Sequence, residues 1–233
     1  MIDKSKPFLD WLGSWKKDLP SLELETVISV PERVAVVSSD LIKGFCCMGP
    51  LASPRIAGII PSVVNLFQRA HELGVRHFLL TEDAHNPDAV EFSAYPPHCV
   101  VGTEESETID ELKNLPFSDI FTTFPKNSIS STLGTDLNAW LEAHSKVATF
   151  IIVGDCTDIC VYQLAIDLRL RANVMGQRDA RIIVPADCVQ TYDMPVETAM
   201  ELGGLPHDGD LLHRVFLYHM ALNGVEIVAR LSE

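Results

Sequence analysis

The chain has 233 residues, 47% of them apolar and 21% charged, a globular composition that excludes a disordered chain and allows a substantial core. Its 18 basic and 32 acidic residues give a formal charge of −14, which disfavours nucleic acid and anionic membrane as partners. No window approaches the roughly 20 apolar residues of a spanning helix, and the opening MIDKSKPFLDWLGSWKKDLP has no signal-peptide core, so a soluble, cytoplasmic protein is expected.

Residues 1–30 are mixed in composition and punctuated by proline, and are expected to pack as an extension on the surface of a domain spanning 31–233. RVAVVSSD (33–40) then reads as a strand, and IAGIIPSVVNLFQRAHELG (56–74) as a helix that Pro61 kinks. Two more strands follow, RHFLLTED (76–83) and DIFTTFPK (119–126), then a helix over TDLNAWLEAHS (135–145). The strand ATFIIVGD (148–155) leads into the helix DICVYQLAIDLRLRANV (158–174). RIIVPAD (181–187) is a strand, helices occupy about 194–203 and 209–222, and VEIVARL (225–231) closes the series. Strand and helix in alternation predict right-handed βαβ units and a parallel sheet of about six strands in an α/β fold. Strands that are apolar almost throughout require helices on both faces, a three-layer αβα domain.

In such sheets functional groups collect beyond the carboxyl ends of the strands. Taken in order, those ends carry Asp40, then Asp83 with His85, then Lys126, then Cys156 and Cys160, then Asp187. Cys160 falls in the first turn of a helix, where free N–H groups and the dipole favour a thiolate. A small buried hydrophobe is the alternative reading of the same residue. In a reducing compartment the six cysteines (46, 47, 99, 156, 160 and 188) are mostly free thiols, which counts against a Cys156–Cys160 disulfide. Asp40 is either a turn residue or a proton acceptor, and Lys126 either a solvated lysine or the cation of a site. A carboxylate, an ammonium and a thiol converging there would make a nucleophilic centre.

EDAHNPDAVEFSAYPPHC (82–99) is the second informative stretch. Asp83 and His85, two apart on extended chain, can point the same way, with Glu91 and His98 further along. Two histidines and one or two carboxylates suit Zn, Fe or Mn with open positions, although a polar loop with surface histidines reads equally well. No C-x₂-C pair supports a four-cysteine zinc site, and no glycine-rich phosphate loop supports a nucleotide. His71, His77, His144, His207, His213 and His219 fall in or beside helical and strand patterns and read as surface or packing residues, as do Cys46 and Cys47.

Together these residues resemble the isochorismatase-like cysteine hydrolases, and among them the nicotinamidases. The resemblance covers residues 33 to about 190: DLIKGF (40–45), a lysine after the third strand with Ser130 and TDL (135–137) behind it, and GDCTDIC (154–160). Asp83-x-His85 followed by YPPHC (95–99) and Gly102-Thr103 resembles the nicotinamidase metal segment. Two positions depart from the family pattern: Ala84 stands where an aromatic precedes the first metal histidine, and Thr132 where a phenylalanine follows the lysine.

The resemblance implies the strand order 3-2-1-4-5-6 and a catalytic triad of Asp40, Lys126 and Cys160. It implies an oxyanion hole from the backbone of Cys156 and Cys160, and a cis peptide between Asp155 and Cys156. It further implies a divalent metal, zinc before iron or manganese, on Asp83, His85 and His98, with Glu91 as a fourth ligand. Phe45 and Tyr95 would sandwich a pyridine ring. The activity implied is hydrolysis of nicotinamide to nicotinate and ammonia by a homo-oligomer, for NAD salvage. The rivals are a relative acting on a ureido, carbamoyl or isochorismate-like substrate, and a non-catalytic binding protein on the same scaffold.

Overall fold

The computed structural model describes residues 2–232. Its first element is α1 (Ile2–Lys17), followed by β1 (Val34–Ser39), α2 (Ile60–Glu72), β2 (His77–Asp83), β3 (Phe121–Lys126) and α3 (Leu137–Ala143). The chain continues through β4 (Thr149–Asp155), α4 (Cys160–Val174), β5 (Arg181–Pro185), α5 (Val196–Leu202), α6 (Gly209–Leu222) and β6 (Glu226–Val228). These strands form one parallel sheet in the order β3-β2-β1-β4-β5-β6, with Val189–Gln190 as a seventh strand pairing with the end of β4. The α/β fold and its expected strand order are thus observed.

Alternation along the strands divides the core. Val34 and Val36 of β1 face one way with Phe78 and Ile151, and α2 covers them with Val63, Leu66, Phe67 and Ala70. Ala35 and Val37 face the other way with Leu79 and Ile152, under Leu137 and Leu141 of α3, Val161 and Leu164 of α4, and Leu217 and Met220 of α6. Both faces of the sheet are therefore dry, which is why its strands read as unbroken apolar runs.

Two local outcomes differ from the sequence reading. Pro61 does not kink a long helix; it sits in the first turn of α2, where its missing N–H costs nothing, behind a separate turn of helix at Pro54–Ala57. Residues 2–17, given no regular structure from their composition, form a 16-residue helix. The α1 helix lies against α6, with Phe8, Trp11 and Trp15 all meeting the Tyr218 ring at centroid distances of 5.4–5.6 Å. Among the described residues no helix is long and apolar enough to cross a membrane.

Candidate active site and metal centre

The strand ends of β1, β2, β3 and β4 bring Asp40, Asp83, Lys126 and Cys160 together. Asp83 and Lys126 are register partners at the last rung of the β2–β3 ladder, so their side chains leave the sheet side by side. Asp40 follows β1 in the left-handed region at φ 56°, a conformation that aspartate tolerates better than most residues. Its amide donates to the Thr81 carbonyl at 2.9 Å, and its Oδ1 accepts from the Asp83 amide at 2.8 Å. Its Oδ2 accepts from Ser39 Oγ at 3.1 Å and lies 2.9 Å from Lys126 Nζ. The carboxylate is fully buried, and every contact fixes its direction.

Lys126 Nζ is the hub. It reaches Asp40 Oδ2, Asp83 Oδ1 at 2.5 Å, the Ser128 carbonyl at 3.3 Å and Cys160 Sγ at 3.7 Å. Burial alone would strip its proton, but the charges of Asp40 and Asp83 outweigh burial and hold the ammonium well above its ordinary range. Burial, reinforced by Asp83 and opposed by Lys126, raises Asp40 to about 6. Burial also pushes the Cys160 thiol well up, against the pull of Lys126 and with the push of Asp40 and Asp83. The start of a helix favours a thiolate, but burial beside two carboxylates opposes it and holds the thiol above its ordinary range. Asp40 and the sulfur share the Lys126 ammonium.

Cys160 opens α4 directly after the turn Cys156–Ile159, and the peptide joining Asp155 to Cys156 is cis. Within the turn Ile159 N donates to Cys156 O at 3.0 Å, and Val161 N to the same oxygen at 3.1 Å. Among the described residues the amides of Cys156 and Cys160 find no acceptor. Two unspent donors flanking a thiol are what an oxyanion hole requires. Before the turn, Gly154 holds φ 111° where a Cβ would collide with the Ser39 carbonyl, so β1 and β4 close together only around a glycine. Asp155, fully buried beside Cys156, is driven well above the carboxylate range by burial and by Asp40.

Asp83 also faces a second centre. Ligating atoms of Asp83, His85 and His98 all lie within 4.8 Å of one another, and all three side chains are buried. The His85 backbone holds the two segments together, its amide bonding Cys99 O at 3.0 Å and its carbonyl accepting from Val101 N at 2.9 Å. His98 Nδ1 donates to the Pro96 carbonyl at 2.8 Å, which fixes the tautomer and leaves Nε2 as a lone-pair donor. Neither ring nitrogen of His85 has a hydrogen-bond partner among the described residues, although Nε2 lies 3.4 Å from Asp83 Oδ2. An imidazole buried with both nitrogens idle is costly, and a cation at this donor set would satisfy it. The residues therefore fit a divalent metal. Glu91, on the turn Val90–Ser93, stands outside the group of three, though its charge bears on His85.

Aromatic rings enclose this centre. Phe45 and Tyr95, the two expected from the sequence, lie 5.7 and 6.2 Å from the His98 ring. Phe92, not singled out before, lies 5.6 Å from His98 and 5.5 Å from His85; its place one residue after Glu91 was the available signal. Thr132 is directed elsewhere, donating to Asp167 Oδ2 at 2.7 Å and lining a separate cavity with Ser128 and Gln163. Asp187 also leaves the cluster, for it lines another cavity with Arg69 and Arg230. His207 and His213, read as packing residues, instead grip the turn before Cys160: His207 Nε2 lies 2.7 Å from Asp158 Oδ2, and His213 Nδ1 lies 2.9 Å from Thr157 Oγ1. No strand-end rule reaches residues so far along the chain.

A thiol, a base and a fixed cation beside two free amides can carry out nucleophilic hydrolysis of an acyl compound. A family model described as an isochorismatase domain matches residues 34–202. Nicotinamidase 1 of Arabidopsis thaliana is 30% identical over 237 residues, covering 93% of this chain and 94% of its own. A nicotinamidase from Bacillus subtilis shares the fold with a TM-score of 0.66 at 22% identity, over 84% of this chain and 99% of that one. The pyrazinamidase of Pyrococcus horikoshii, solved in complex with zinc, gives 0.62 at 23% identity, over 84% and 98% of the two chains. The chain belongs to the isochorismatase family and, within it, to the nicotinamidase-type amidohydrolases.

Proposed function

We propose that this chain hydrolyses nicotinamide to nicotinate and ammonia through a thioester on Cys160. The observation that carries the reading is the position of Lys126 Nζ, 2.9 Å from Asp40 and 3.7 Å from Cys160, beside the Asp83–His85–His98 group. Asp40 takes the thiol proton as the sulfur attacks the carboxamide carbon, and Lys126 steadies both anions. The carbonyl oxygen becomes an oxyanion that the amides of Cys156 and Cys160 receive. Asp40 then passes its proton to the departing nitrogen, and ammonia leaves a thioester. In the second half Asp40 takes a proton from water, whose oxygen attacks the thioester carbon. The carbon–sulfur bond breaks, the acid is released, and the sulfur recovers its proton.

Asp83, His85 and His98 would hold a divalent metal, with zinc favoured by a donor set of two imidazoles and a carboxylate. Bound there, the metal supplies a Lewis acid for the pyridine nitrogen and so an anchor for the ring. Phe45, Phe92 and Tyr95 stand close to His98, which supports a flat aromatic substrate. The charge of −14 supports a small neutral substrate over a polyanion. Ammonia release from nicotinamide and pyrazinamide by the zinc-loaded chain, beside ureido and carbamoyl compounds, tests the reading. Turnover of the ureido compounds alone would move the chain to another branch of the family, and no turnover of any amide would favour a binding protein.

A further inference from the structure

The turn Cys156–Ile159 carries one of the two free amides and leads into the other, and its own closing bonds, from Ile159 N and Val161 N, both fall on the Cys156 carbonyl. Its fixed points come from a segment over thirty residues away in sequence. Thr157 N donates to the Gln190 carbonyl at 3.0 Å. Thr157 Oγ1 meets His213 Nδ1 at 2.9 Å, and Asp158 Oδ2 meets His207 Nε2 at 2.7 Å. His207 is itself locked. Its Nδ1 donates to the Tyr192 carbonyl at 3.0 Å, its ring stacks on Tyr192 at 3.9 Å, and its backbone exchanges two 2.8 Å bonds with Met194. Both ring nitrogens of His207 face acceptors, a carbonyl and a carboxylate, so the ring is held from both sides.

Stability alone does not account for this arrangement. His213 Nε2 is buried with no hydrogen-bond partner among the described residues, and the Asp158–His207 pair lies under the surface, where buried ion pairs as a class add little net stability over apolar packing. What the polar pairs add is direction: each holds one residue of the turn at a fixed distance.

We propose that His207 and His213 are positioning residues for the oxyanion hole, gripping Asp158 and Thr157 so that the amides of Cys156 and Cys160 stay convergent on one oxygen. The inference rests on the hydrolytic reading of the site. It places the second anchor of the turn in the loop before α6 and on α6 itself. A misdirected donor weakens transition-state binding and leaves ground-state binding almost unchanged.

The test compares wild type with His207→Ala, His207→Gln and Asp158→Asn, each metal-loaded. With nicotinamide, His207→Ala is expected to lose about tenfold or more in kcat with KM within about twofold. His207→Gln, which keeps a donor reaching toward Asp158, is expected to recover most of the loss. The double variant His207→Ala/Asp158→Asn should be no slower than the slower single variant. Pyridine-3-carboxaldehyde gives a second reading: Cys160 adds to its carbonyl carbon, Asp40 takes the thiol proton, and the resulting oxyanion needs both amides. Its affinity should fall in step with kcat, while that of nicotinate holds. Unchanged kcat, or a rise in KM alone, overturns the proposal. Hydrogen exchange separates its failure from that of the substrate assignment. Whatever amide is hydrolysed, His207→Ala should speed exchange in residues 154–161 and leave the strands unchanged; wild-type exchange there overturns the proposal.

Discussion

Lys126 Nζ stands 2.5 Å from Oδ1 of Asp83, and the other oxygen of the same carboxylate stands 3.4 Å from His85 Nε2. One buried side chain thus joins the nucleophilic centre to the candidate metal centre. Lys126 carries its charge because two carboxylates surround it, and one of those belongs to the metal group. The two centres are therefore linked by charge as well as by proximity.

Asp83→Asn should damage both centres at once. Metal affinity is expected to fall by about 10- to 100-fold or more, and kcat should drop even at saturating metal, because Lys126 loses a partner. His98→Gln should lower metal content alone. Elemental analysis beside steady-state kinetics distinguishes the two, and an Asp83→Asn variant with full kcat at saturating metal would contradict the coupling.

Asp40 is expected to set the acid limb of activity. Burial and the charge of Asp83 raise it to about 6, so below that pH it is protonated and takes no proton from Cys160. kcat/KM should rise about tenfold per pH unit below 6 and flatten above it. A profile flat down to pH 5 would assign the base elsewhere.

His213 should govern acid stability. Burial lowers it from 6.5 to about 3, so between those values the unfolded chain binds a proton that the folded chain does not. Stability is then complete above 6.5 and lost as pH falls toward 3, by on the order of 4 kcal/mol for this group. Urea unfolding of His213→Asn should show a shallower loss over the same window; parallel curves would refute the attribution.

The strand ends were legible because a parallel sheet turns sequence order into spatial order. Once 76–83 and 119–126 are strands, Asp83 and Lys126 fall on one edge. His85 and the turn at Cys156 were legible for a similar reason, as each follows a strand within a few residues, whereas His98 lies well beyond β2 and was legible only through the YPPHC motif. His207 and His213 were not, because their meaning depends on how the 190–213 segment folds back over the turn, a long-range pairing that leaves no local pattern. The helix at residues 2–17 was hidden by Pro7 and by an aromatic stripe whose partner, Tyr218, lies at the far end of the chain. Asp187 ends a strand, but the chain beyond β5 carries it to another cavity, so position at a strand end is not sufficient.

Gly154→Ala tests the closure of β1 on β4. Its φ of 111° and the Ser39 carbonyl exclude a side chain, and a cost of about 3 kcal/mol or more is expected. Chemical denaturation of the variant measures this directly, and wild-type stability would show that the strands can separate without loss.

Of the two cysteines four residues apart, Cys160 alone should be the nucleophile, with Cys156 contributing its backbone. Ammonia release from nicotinamide by wild type, Cys156→Ala and Cys160→Ala, each metal-loaded, measures it. Wild type should turn over, Cys156→Ala should lose little, and Cys160→Ala should show no detectable turnover. Retained turnover by Cys160→Ala that is lost on removal of metal would make a metal-bound hydroxide, not the thiol, the nucleophile.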